Sequence, residues 1–108
     1  SGYAKPLRHE IPFSSARKWS AIEFAEQPGT YVLGAPEILM KSTVLDNAYL
    51  EYIDRQVNQG FRVVLFGYTP KSIESNTLPP LTPLGILCFS DQLRPSARET
   101  LQGFVKAG

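Results

Sequence analysis

The stretch Phe61-Arg62-Val63-Val64-Leu65-Phe66-Gly67-Tyr68 places large apolar groups at consecutive positions. Successive side chains of a strand point to opposite faces, so Val63 and Leu65 load one face while Val64 and Phe66 load the other. Residues 18 to 24 repeat the arrangement: Lys18, Ser20, Ile22 and Phe24 share one face, Trp19 and Ala21 the other. A sheet built from such strands has to be covered on both sides. The cover on offer is small, about two good helices and one short one, which points to a fragment or an oligomer. The chain has 108 residues, enough for one domain and not two. Its 43% hydrophobic and 19% charged content is that of a globular domain rather than a disordered segment.

Residues 3 to 10 are polar, contain Pro6 and read as an irregular lead-in. Residues 18 to 33 read as a β-hairpin turning at Glu26-Gln27-Pro28-Gly29, with Pro and Gly where tight turns favour them. Pro36 suits the first turn of a short helix over residues 37 to 41. Thr43, with Asp46 three residues on, is expected to cap a longer helix. Along that helix Leu45, Tyr49, Tyr52, Ile53 and Val57 recur at steps of three and four, until Asn58-Gln59-Gly60 stops it. Strands follow at residues 61 to 68 and 84 to 90, separated by a Ser/Pro/Asn-rich loop, 69 to 81, expected to be the least ordered stretch. Ser96 and Glu99 form a capping box for a last helix through Leu101, Phe104 and Val105. Strands joined by a tight turn pair antiparallel. The predicted class is therefore α+β or α/β, with a mainly antiparallel β-sheet flanked by helices and incompletely covered.

Several functions lose support at once. A net charge of +1 offers no broad field for nucleic acid or an acidic membrane. The apolar runs are too short to span a bilayer, and the start shows no signal-peptide pattern. Ser1-Gly2 reads as a tag remnant and is set aside. The single cysteine, Cys88, excludes an internal disulfide and a cysteine-based metal cluster; lying mid-strand, it is expected to be buried and inert. His9, the sole histidine, sits in a polar segment with no triad order around it. Asp46, Glu51 and Asp54 fall on a helix surface, where carboxylates are ordinarily just solvated. Leu33-Gly34-Ala35-Pro36-Glu37 lacks the spacing and the Lys-Ser/Thr of a P-loop. No residue set makes a catalytic centre, and a stand-alone hydrolase lacks a nucleophile.

What remains is a binding surface. Phe13 offers a ring for stacking, Lys18 and Arg62 offer cations for phosphate oxygens, and Gly34-Ala35-Pro36 lets backbone come close to a ligand. Taken singly, Phe13 reads as core, Lys18 as an ordinary strand-end lysine, and Arg62 as a strand arginine in need of a partner or solvent. A different class also fits: a non-catalytic protein-interaction module using an exposed aromatic patch of Phe13 and Trp19.

Four motifs in order go further. "PFSSARKWSAI" at 12 to 22 resembles the Phe-Ser-x-x-(Arg)-Lys-x-Ser signature of the nucleotide-binding (N) domain of P-type (E1-E2) cation-transporting ATPases. "LGAPEILM" at 33 to 40 resembles that family's Lys-Gly-Ala-Pro-Glu box, and "GFRVVLFGY" at 60 to 68 its Gly-x-Arg-Val-Leu strand. "LGILCFSDQLRPSARETLQGFVKAG" at 84 to 108 is similar to the segment that returns to the phosphorylation (P) domain. The resemblance implies residues 3–90 as the later part of an N domain and 91–108 as hinge and first P-domain helix. It implies that Phe13 stacks on adenine, Lys18 lies beside base or phosphates, Gly34 and Ala35 line the adenine cleft, and Arg62 reaches phosphates or ribose. Ser14-Ser15-Ala16 is then a compact turn that lets a ring and two cations, Arg17 and Lys18, face one ligand. Asp91 and Arg94 belong to the hinge. ATP, with Mg2+ in the intact pump, is the implied cofactor. The implied partners are the phosphorylation and actuator domains, with self-association through an uncovered sheet face as a further possibility and no role for nucleic acid. The implied location is a cytoplasmic domain of an integral membrane protein, active in the full-length pump and inactive alone. Leu33 replaces the lysine of the Gly-Ala-Pro-Glu box, Ser15 a basic side chain of some relatives, and Gln92 the hinge proline, which favours a bacterial-type subgroup. The phosphorylation loop, the actuator motif, the membrane helices and the acidic adenine partner have no counterpart in this sequence.

Overall fold

The computed structural model describes residues 6–74, 76–90 and 101–102. Its centre is a five-stranded antiparallel sheet in simple sequence order: β1 (Leu7–Ile11), β2 (Trp19–Phe24), β3 (Thr30–Gly34), β4 (Arg62–Thr69) and β5 (Thr82–Phe89). Helices α1 (Pro36–Leu39) and α2 (Asn47–Asn58) lie between β3 and β4. The fold class is α+β, as expected.

Three of the expected elements are corrected. The lead-in is not irregular, because Leu7–Ile11 adds an edge strand to β2. Polarity hid it: Arg8 and His9 are exposed and Glu10 is half-buried, while Leu7 and Ile11 anchor it. These two would share a face in a regular strand. A register shift between Leu7 and His9 puts Leu7 on one apolar cluster and Ile11 on the other. The second correction concerns the long helix. Asp46, not Thr43, is its N-cap, with Asp46 Oδ1 accepting the Tyr49 N–H at 3.0 Å. A carboxylate both accepts that bond and complements the positive helix end. The later start leaves Leu45 outside the helix, free to pack against the core. The third is the 69 to 81 loop. Ile73 and Leu81 are buried, Thr30 Oγ1 donates to Lys71 O (2.8 Å), Ser72 Oγ donates to Glu23 Oε2 (2.8 Å), and Leu81 N–H donates to Ser42 O (2.7 Å). Polar composition concealed a loop tied down near both ends.

The two-sided strands are covered on both faces. On the first, Trp19, Ala21, Val32 and Leu65 pack with Leu39, Ile73 and Leu81. On the second, Ile22, Phe24, Leu33 and Phe66 pack with Leu101. Leu101 is the described part of the last helix; the Ser96–Glu99 capping box, Phe104 and Val105 lie outside the described residues. The hairpin forms as expected, its turn requiring Gly29 at φ +90°: a Cβ there would fall 2.3 Å from the Tyr68 hydroxyl, which donates to Pro28 O. The cover by α2 is thin. None of its residues is buried; Ile53 packs against the core, whereas Tyr52 and Val57 are 39% and 53% exposed. Cys88 is accordingly half-buried rather than buried. It lies on β5 at the sheet edge, with its Sγ 3.8 Å from the Tyr52 hydroxyl.

Candidate functional site

The antiparallel register brings four of the five predicted residues, Lys18, Gly34, Ala35 and Arg62, to one end of the sheet. Trp19 pairs with Gly34, and Gly34 with Leu65, so β2 begins, β3 ends and β4 begins at the same edge. One step outward, the Ala35 N–H donates to Lys18 O at 3.1 Å, which sets Lys18 beside Ala35. Arg62 opens β4 three residues beyond Leu65 and pairs with Phe89. Lys18, Ala35 and the start of β4 thus lie on three adjacent strands, spread over two spacings of roughly 4.8 Å each. Phe13 precedes them in the loop between β1 and β2 and is 60% exposed.

The loop that carries Phe13 and Lys18 is a built turn. The Lys18 N–H donates to Ser14 O (2.7 Å) and the Arg17 N–H to Ser14 Oγ (3.1 Å), so Ser14 organises both ends. Lys18 takes φ +65° and is the one non-glycine residue at positive φ among the described residues. For an L-residue this conformation costs about 1–2 kcal/mol. Strained residues cluster at ligand-binding sites, and this one carries an exposed ammonium.

The members of the site differ in what holds them. Phe13 is not a core residue, since its ring lies mostly in solvent. Gly34 is buried, and its missing Cβ is explained by packing: a Cβ would stand 2.6 Å from Leu39 Cδ1 and 2.7 Å from Trp19 Cβ. The glycine thus lets α1 and β2 close on β3. Ala35 is half-buried at the N-cap of α1. Arg62 is exposed and takes part in an interaction within the chain. Its strand neighbour by alternation, Val64, packs against the second-face cluster, whereas Trp19 belongs to the first.

The two cations of the turn do not act alike. Arg17 donates to Pro12 O and, at 3.3 Å, to Asn76 Oδ1, and its guanidinium lies 5.3 Å from the Trp19 ring centroid. Two of its nitrogens are engaged inside the chain and the residue is half-buried, whereas Lys18 is exposed. The Arg17–Trp19 contact is made across the turn and Asn76 comes from 59 positions away, so neither had a sequence signal. Trp19 is only 2% exposed, so the aromatic patch of Phe13 and Trp19 expected for an interaction module does not exist. A separate groove of about 530 Å³ lies beside the same turn and is lined by none of the five residues.

Among the described residues no three His, Cys, Asp or Glu side chains gather to hold a metal ion, and no helix is long and apolar enough to cross a membrane.

Comparison with known proteins bears on the same segment. No family model matches the chain. It is 34% identical over 95 residues, 87% of its length, to the calcium-transporting ATPase CtpE of Mycolicibacterium smegmatis, of which the match covers 12%. The corresponding protein of Mycobacterium bovis is also 34% identical over 95 residues, with 11% of that protein covered. The probable cation-transporting ATPase exp7 of Streptococcus pneumoniae is 36% identical over 103 residues, 91% of this chain and 12% of that protein. The chain therefore spans about one eighth of the length of these relatives. Homology over nearly all of its own length, together with the four motifs in order, makes the chain a segment of the P-type cation-transporting ATPase family.

Proposed function

We propose that the chain is the later part of the nucleotide-binding domain of a P-type cation-transporting ATPase, and that it holds ATP at the sheet end formed by Phe13, Lys18, Gly34, Ala35 and Arg62. The observation that carries this reading is the convergence of those residues. They come from three separate stretches of sequence, and the register of β2, β3 and β4 gathers the last four at one edge. An exposed ring, an exposed ammonium and an exposed guanidinium at this end of the sheet offer a base platform and two phosphate partners. The adenine stacks on Phe13 against the backbone of Gly34 and Ala35, while Lys18 and Arg62 meet the phosphates. Leu33 leaves this pocket without the cation that the box carries elsewhere in the family, so Lys18 and Arg62 carry more of the charge.

In the intact protein this segment positions ATP so that its γ-phosphoryl reaches an aspartate of a neighbouring phosphorylation domain. Positioning is a large share of phosphoryl-transfer catalysis, because the transferred group needs alignment more than covalent help. Residues 91–108, mostly outside the described part, form the hinge and first helix of that domain. The phosphorylation and actuator domains are the partners. The segment lies on the cytoplasmic side of an integral membrane protein that moves a cation; cation transport is what the relatives' names give for them. Mg2+ accompanies ATP in such a reaction; the described residues supply no ligand cluster for it, and no step here depends on one.

Titration of the 15N-labelled chain with ATP tests the proposal. Amides of Phe13, Lys18, Ala35 and Arg62 should shift together, with a Kd on the order of 1 mM, about −4 kcal/mol. Shifts confined to the 69 to 81 loop, or none at 10 times that concentration, refute the site. Purified chain alone should neither hydrolyse ATP nor form a phosphoenzyme.

A further inference from the structure

The groove beside the Ser14–Lys18 turn opens at the rim of the first-face core, where Trp19, Ile38 and Leu78 supply its apolar wall. Among the described residues its charged lining is of one sign: Arg17 and Lys41 border it, and no Asp or Glu does. Arg17 adds a second, independent observation. Its guanidinium lies on the Trp19 ring and donates to Pro12 O and, at the long distance of 3.3 Å, to Asn76 Oδ1. Its Nε–H is nevertheless buried with no acceptor among the described residues. Buried donors are rarely left unpaired, least of all on a charged group, and an absent acceptor is a standard reason. Ser42 adds a hydroxyl at the same rim, beside the exposed Lys41.

We propose that this groove binds a phosphate monoester, at a place distinct from the sheet end assigned to ATP. A monoester dianion matches two cations: its oxygens take the place of the long Asn76 contact on the Arg17 guanidinium and meet the point charge of Lys41. Its organic part lies along Trp19, Ile38 and Leu78. The volume of about 530 Å³ is that of a small-molecule site rather than of a single-ion niche. The two places adjoin through the Ser14–Lys18 turn and the start of α1, where Ala35 caps the helix that carries Ile38, but the groove is lined by none of the five residues, and Arg62 alternates with residues of the face opposite Trp19. Occupancy of the groove would fix Arg17, and through Ser14 the loop that presents Phe13 and Lys18.

Trp19 is the only tryptophan, so its indole N–H gives one assigned resonance on the groove wall. The labelled full chain is titrated separately with butyl phosphate, inorganic phosphate, pentanoate, and sodium chloride at matched ionic strength. Butyl phosphate should shift the indole resonance saturably in the millimolar range and bind more tightly than inorganic phosphate. Lys41→Ala, at an exposed position that leaves the fold intact, should weaken it roughly fivefold, the scale of one exposed charge-assisted contact. Arg17→Lys, which keeps the charge and removes the fork, should abolish saturation, while Phe13→Leu should leave the response unchanged. An indole that responds equally to sodium chloride, or equally to pentanoate, overturns the proposal, as does Lys41→Ala binding like the parent. Loss of the response in Phe13→Leu would return the phosphate to the first site and also overturn it.

Discussion

Gly34→Ala separates two reasons for a glycine in this motif. The family resemblance gives it a ligand-facing role, in which a side chain would obstruct adenine. The structure gives it a packing role on the other side of the strand. A Cβ at Gly34 would lie 2.6 Å from Leu39 Cδ1, 2.7 Å from Trp19 Cβ and 3.0 Å from Lys18 O. The first contact is with the end of a side chain, but Leu39 is 1% exposed and has nowhere to swing. The other two involve a β-carbon and a carbonyl, which move only if β2 and β3 part. Overpacking of this kind costs about 1–3 kcal/mol. Against a stability of roughly 5–15 kcal/mol for a domain of this size, that is a large fraction. At about 4–8 °C per kcal/mol, the melting temperature should fall by ~10 °C. Thermal and urea melts followed by circular dichroism and by Trp19 fluorescence would read it. Leu39→Val removes the δ-methyls and should restore part of the loss in the Gly34→Ala background, a coupling of about 0.5–1 kcal/mol. The Trp19 and Lys18 contacts set the part that is not restored. A Gly34→Ala chain that melts within about 1 °C of the parent would refute the packing argument. If that same chain had lost ATP binding, the ligand-facing role would stand in its place.

Phe13→Leu and Phe13→Ala should both fold with stabilities within about 0.5 kcal/mol of the parent, since the ring is mostly exposed. Both should weaken ATP binding by roughly 1–3 kcal/mol, more than Arg62→Lys does, and unaltered affinity by NMR titration would remove Phe13 from the site. Lys18→Gly should raise the urea midpoint by relieving the positive-φ strain, worth about 1 kcal/mol after the greater freedom of glycine in the unfolded chain is counted, and should lower ATP affinity. A lowered midpoint would mean that the lysine side chain holds the turn. The Tyr31 phenol is raised from its ordinary 10.0, first by burial and then by the neighbouring Tyr68. Its contribution to stability is therefore complete below pH 10 and fades as pH climbs through the raised value, because the unfolded chain ionises first. Tyr31→Phe should flatten that alkaline loss in denaturant melts between neutral pH and about pH 11, and an unchanged slope would refute the assignment.

Local chemistry made much of this protein legible in the sequence. Period-two apolar runs marked β2, β4 and the need for two covered faces. Pro28-Gly29 marked the hairpin turn, Pro36 the start of α1, and the four motifs in order the family. These signals are short-range, or are read along one strand, and need no knowledge of what lies opposite. What failed was decided across the chain. Leu7–Ile11 became a strand because β2 had a free edge and a register shift could send Leu7 and Ile11 to different cores. Thr43 lost the cap to Asp46, leaving Leu45 to pack against the core. The polar 69 to 81 loop is held at Lys71, Ser72 and Leu81 by Thr30, Glu23 and Ser42, none of them near it in sequence. At the site, the sequence named Phe13, Lys18, Gly34, Ala35 and Arg62, but only strand register could bring the last four to one edge. Only packing could show that Gly34 is small for Leu39 and Trp19, that Trp19 is wall rather than patch, and that Arg17 is held by Trp19, Pro12 and Asn76. Propensity and periodicity report what a residue prefers. Which neighbour meets it, and so whether its ring or charge is free to bind, is set by contacts tens of residues away.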